Sequence, residues 1–131
     1  MGRNGRPTIN RTIKMTRINV SVPPKELSAK HLIAEHREIK RIPNAIRTGK
    51  AVVNNIPARF SLGKGHVKFF YDKLLFLKNR YEELYSECIN RGFKVTYYGN
   101  AWDDIPPNLM NDYIPTPEDD RIIRERIKQR S

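Results

Sequence analysis

The chain has 131 residues, enough for one domain with one modest core, and its 38% hydrophobic and 30% charged residues suit a soluble globular protein. The formal net charge is +11, with a pI of about 10.0. So large a basic excess points to a polyanion, most often nucleic acid, over the blander reading that charge only keeps the protein soluble. The single cysteine, Cys88, excludes an intramolecular disulfide, and no apolar run approaches the roughly 20 residues of a membrane span. No apolar signal core follows the basic start, so the expectation is a cytosolic protein.

Residues 1–14 read as a basic arm, because glycines and Pro7 break any periodicity and Arg3, Arg6, Arg11 and Lys14 meet no acid. Such an arm can lie along phosphates. The alternative is a non-native extension upstream of a true initiator at Met15. Without residues 1–14, 21 basic residues oppose 14 acids, a charge of +7. A small threonine in second position favours removal of Met15, which would free the Thr16 amine.

Pro23-Pro24 opens the first helix. At 100° per residue, Leu32, Ile39, Ile42 and Ile46 form a buried stripe. Leu27, His31 and Glu38 fall on an adjoining side, with Arg37 and Arg41 flanking the carboxylate. Taken alone, that side reads first as a solvated ion-pair face. Glu35 lies nearer the apolar side and reads as a paired, structural carboxylate. Pro43 predicts a kink or restart. A connector over 47–58 carries Arg47 and Lys50 beside Gly49, and Gly63-Lys64-Gly65 leads into a second helix over His66 to Asn90. Amides at such a helix start attract anions, although the spacing is not that of a nucleotide P-loop.

In the second helix, Leu74, Leu77, Tyr81, Leu84 and Cys88 form a core stripe, Phe69 and Phe70 read as core, and Gly92 follows as the left-handed cap. Residues 93–116 are irregular. Their Tyr97–Trp102 aromatics either stack on bases or pack the loop onto the helices. Thr116-Pro117-Glu118-Asp119 starts a last helix with few apolar residues, the most loosely held element. No zinc or calcium spacing is present, and no nucleophile elbow.

One pairing carries chemistry: Thr16, if N-terminal, with Glu38. An α-amine titrates at about 7.7–8.0 and a lysine near 10.4, so roughly a tenth of α-amines are free at neutral pH. A free threonine amine is a ready nucleophile toward a carbon such as a sugar C1′, and a nearby carboxylate can move protons for it.

MTRIN (15–19), HLIAEHREIKRIP (31–43), GHVKFFYDKLLFL (65–77), ECINRGF (87–93) and DYIP (112–115) together resemble the T-even phage pyrimidine-dimer DNA glycosylase family, historically called endonuclease V. The resemblance runs in register from Met15 to about Arg130 and implies a compact, all-α, three-helix single domain over 15–131 with long irregular connectors. It implies a base-excision repair enzyme, both N-glycosylase and abasic-site lyase. Thr16 matches the amine nucleophile and Glu38 the catalytic glutamate. Arg17, Arg37 and Arg41 match arginines of the DNA-binding site, and His31 a histidine near the same pocket. The implied partner is double-stranded DNA bearing pyrimidine dimers or abasic sites, bound by a monomer without metal or organic cofactor in the cytoplasm of a phage-infected cell.

Several positions depart from the family pattern. The arm puts a peptide bond on Thr16, so lyase chemistry requires residues 1–15 to be absent or removed. If the arm is kept, the expectation is a non-catalytic DNA-binding or assembly protein. The phage member's aromatic-rich tail has no counterpart here, which bears on dimer selectivity more than on abasic-site cleavage. Lys30 and His36 also differ from the phage residues.

Overall fold

The computed structural model describes residues 16–130, so the expected arm over 1–14 lies outside the described residues. The all-α class stands: among the described residues there is no strand. The helices are α1 (Ala29–Glu38), α2 (Arg41–Arg47), α3 (His66–Phe69), α4 (Leu74–Asn90) and α5 (Pro117–Gln129). Short 3-10 turns cover Pro24–Glu26, Gly99–Trp102 and Pro107–Leu109. Among the described residues no helix is long and apolar enough to cross a membrane.

The three expected helices are therefore five segments, and each break has a local cause. Pro24 begins only a 3-10 turn, and α1 starts at the cap Ser28, whose hydroxyl accepts the His31 amide at 3.2 Å. Leu27 thus precedes the helix and is buried in the core, a correction to its place beside His31 and Glu38. The chain restarts at Arg41, which puts Pro43 in the first turn of α2, where its missing amide is harmless. The second helix breaks between Phe69 and Leu74. The Lys73 ammonium takes the Phe69 carbonyl at 3.0 Å, and the Asn111 side chain takes the Asp72 carbonyl at 2.8 Å. Side chains, one local and one from 39 residues on, have replaced helical bonds there.

The apolar stripes meet where α1 packs across α4. Leu32, Ile39 and Ile42 face Leu77, Tyr81, Leu84 and Cys88 in one core, while Ile46 is only partly buried. Burial raises the Cys88 thiol pKa, as suits an inert core cysteine. The close of α4 follows the expected cap: Gly92 has φ +81°, its amide bonds the Ile89 carbonyl, and the Phe93 amide bonds Cys88. At the start of α5, Thr116 and Asp119 bond each other's backbone amides at 3.0 and 3.1 Å. Helix α5 fully buries only Ile123, and polar contacts from Ser21 to Asp120 and from Arg124 to Glu26 add to its hold.

The aromatic loop resolves toward packing. Trp102 is buried and Tyr98 partly buried, with the Tyr98 amide bonded to the Tyr81 hydroxyl at 2.6 Å. That hydroxyl lies 3.0 Å from Nε2 of His36, which is buried against the same cluster. Tyr97 remains exposed but bonds Glu82 and packs on Tyr85.

Candidate nucleic-acid interface

Thr16 opens the described chain in an extended stretch and is 4% exposed. Its hydroxyl accepts from Nη1 of Arg41 at 3.4 Å, which ties the stretch to the start of α2. Thr16 lines a cleft of about 650 Å³ with Arg17, the Gly63-Lys64-Gly65 turn, His66, Lys68 and Tyr71. Gly63 and Gly65 have φ of +85° and +94°, so this turn depends on residues free of a Cβ penalty.

Glu38, the last residue of α1, is 8% exposed and lines a second cleft of about 330 Å³ with Arg17, Lys30, His31, Arg126 and Arg130. Nη2 of Arg37 donates to its carboxylate at 3.1 Å, and the Arg37 side chain is itself 56% exposed. The solvated ion-pair face expected from α1 alone is therefore not what forms. Its carboxylate is withdrawn from bulk water and opens on a cleft.

Arg17 and Gly63 wall both clefts, so the two expected chemical residues border adjoining spaces without sharing one. Arg17 and His31 sit at the clefts, Arg37 bonds Glu38, and Arg41 bonds Thr16. All six residues singled out from the sequence thus gather at one region.

Three further cations line the Glu38 cleft: Lys30, which the sequence marked only as a departure from the family pattern, and Arg126 and Arg130, which it did not single out. Burial pushes the Arg17 guanidinium pKa down, and repulsion from Arg126 and Arg130 adds to it. Nη1 of Arg17 and Nε of Arg126 are buried without a hydrogen-bond partner among the described residues. Buried donors and crowded positive charge are costly until an anion meets them. The one sequence signal for Arg126 and Arg130 was their one-turn spacing on α5. A larger groove of about 800 Å³ elsewhere carries Glu82, Glu83 and Glu87 and includes none of these cations, so it does not suit a polyanion.

Glu35, one turn before Glu38, lines the same cleft but accepts three bonds. Arg80 grips it through Nε and Nη2 at 2.8 and 2.9 Å, and the Asn19 amide donates at 2.7 Å. Its structural reading holds.

Phosphates are the anions such a surface suits: guanidiniums and amides bind their oxygens, and a withdrawn carboxylate can handle protons nearby. Comparison with known families agrees in kind. The model of a family described as pyrimidine dimer DNA glycosylase matches residues 15–98, well over half of the chain, which takes in Thr16 and Glu38 but stops short of α5.

Proposed function

This chain belongs to the pyrimidine dimer DNA glycosylase family, and from that premise we propose that it is a glycosylase and abasic-site lyase acting through the Thr16 amine. The observation that carries the reading is the arrangement around Arg17. Thr16 and Glu38, both withdrawn from water, open on adjoining clefts that this arginine walls.

The mature enzyme in this reading begins at Thr16, because an amide nitrogen has no free electron pair for attack. The domain then comprises residues 16–131, acts as a monomer in the cytoplasm and uses no cofactor. Arg17, His31, Arg37 and Arg41, joined by Lys30, Arg126 and Arg130, hold the phosphates of damaged duplex DNA. The free amine attacks C1′ of the damaged nucleotide. The C1′–N bond breaks, and its electron pair leaves with the base, which takes up a proton. The sugar ring opens and the C1′–N(Thr16) bond becomes an imine. Loss of a C2′ proton then expels the 3′ phosphate, which breaks the strand, and water releases the amine. Glu38 supports these proton transfers. Near neutral pH roughly a tenth of the amine is free, so the nucleophile needs no unusual activation.

The test compares protein beginning at Thr16 with the full chain on duplexes carrying one pyrimidine dimer or one abasic site. Strand cleavage by the shorter form alone is the expected result. Equal cleavage by a full chain whose intact mass retains Met1 would contradict the amine route. Binding by both forms without cleavage would leave a DNA-binding protein that kept the fold.

A further inference from the structure

The stretch that carries Thr16 has no helix or strand to hold it, so its geometry depends on side chains reaching in from elsewhere. Several do so. Nη1 of Arg80 takes the Val22 carbonyl at 2.6 Å, and Glu35 holds the Asn19 side chain at 2.7 Å. Arg41 reaches only the Thr16 hydroxyl, and the backbone is held nearest to Thr16 by His66: the Ile18 amide donates to its Nε2 at 3.0 Å.

The other face of that ring completes the constraint. Nδ1 of His66 lies 2.9 Å from the Ser61 carbonyl, which can only accept. Nδ1 must therefore carry the proton and Nε2 the lone pair, so the two contacts select one neutral tautomer. The ring is buried, with Phe60 and Phe70 edge-on to it at 5.5 and 5.4 Å. Desolvation lowers its pKa to about 4, with Arg17 adding to the fall, so the neutral form persists at neutral pH. His66 also lines the Thr16 cleft and follows the glycine turn that walls it.

We propose that His66 is a positioning residue: its neutral, Nδ1-protonated ring anchors the Ile18 amide and so sets how the Thr16 nitrogen enters the cleft. This rests on the reading of Thr16 as the nucleophile. Only two residues separate the anchor from the amine, so little backbone slack remains. Loss of the anchor leaves the fold's main core in place and loosens the attacking atom. Misplacement by about 1 Å is enough to slow a positioned reaction on the order of a hundredfold.

The test uses protein beginning at Thr16, which keeps every described element. His66→Phe fills the ring's space but offers no acceptor. His66→Gln can accept from Ile18 and donate to Ser61. The readouts are the single-turnover rate of borohydride-trappable imine on an abasic duplex and the affinity for a duplex bearing a reduced, uncleavable abasic analogue. His66→Phe is expected to slow imine formation about tenfold or more with affinity within about threefold of the parent. His66→Gln should restore most of the rate. A folded His66→Phe that forms imine at the parental rate overturns the proposal, as does a loss that His66→Gln leaves uncorrected. If His66→Phe does not fold, long-range nitrogen–proton NMR of the full, unsubstituted chain decides: a proton on Nδ1 supports the anchor, and a proton on Nε2 or a charged ring at pH 7 overturns it. A parent protein that forms no imine at all removes the nucleophile reading itself, a result distinct from a parent and variant that trap equally well.

Discussion

Two carboxylates three residues apart on α1 border the same cationic cleft but are bonded differently. At Glu35, Arg80 grips both oxygens and Asn19 adds a third bond, and the two charged side chains are 1% and 3% exposed. Glu38 is nearly as withdrawn, at 8% exposed, yet its ion pair is a single bond from the half-exposed Arg37. Burial alone does not separate a structural acid from a reactive one. What separates them is how far the acceptor sites are already filled: Glu35 takes three bonds, two of them from a buried guanidinium, while Glu38 takes one from a half-exposed side chain and keeps more to offer a substrate.

Glu35→Gln is expected to have the largest effect. It leaves the buried Arg80 guanidinium without its countercharge, which should destabilise the fold by about 3–5 kcal/mol in urea unfolding. An Arg80→Leu, Glu35→Leu double variant should recover much of that loss. A near-neutral Glu35→Gln would erase the distinction between the two acids.

Glu38→Gln should do the reverse. Stability is expected to stay within about 1 kcal/mol of the parent, as for a pair with an exposed partner. Cleavage of a dimer-containing duplex should fall about a hundredfold to ten-thousandfold with binding kept. Undiminished cleavage would remove Glu38 from the proton transfers.

Acid should also act, through the buried His66. The folded pKa of His66, about 4, lies below its ordinary 6.5, so the unfolded chain binds the extra proton first. Its stabilising share is therefore complete above about pH 6.5 and is lost as pH falls toward 4, to the extent of about 3 kcal/mol. His36 is lowered in the same direction by burial and by Lys40. Urea midpoints of His66→Phe should slope less steeply across that window; an unchanged slope would mean the ring is not the titrating group.

The smallest effect belongs to the cleft's cations. Arg126→Ala or Arg130→Ala should weaken binding to duplex DNA severalfold and lower the salt-dependence slope by about 1 each. An unchanged slope would take that residue off the phosphates.

Much of this contrast was legible in sequence because it is local. The 3.6-residue periodicity of α1 places Glu35 by the apolar stripe and Glu38 beside it, and the caps at Gly92 and Thr116 are set by residues within one turn. What sequence hid is non-local. Asn111 interrupts the second helix through bonds to Asp72 and Phe76 that no periodicity announces. Arg126 and Arg130 converge on Arg17 from the far end of the chain. His66 looked like the first residue of a helix, and only the fold brings its ring to the Ile18 amide. Glu38 looked solvated because its own helix cannot reveal what covers it.

The most direct measurement is borohydride trapping of protein beginning at Thr16 on an abasic duplex, followed by peptide mapping of the adduct by mass spectrometry. The account predicts a one-to-one adduct on the Thr16 α-nitrogen. A full-strength adduct on a lysine, with the Thr16 amine unmodified, would contradict it.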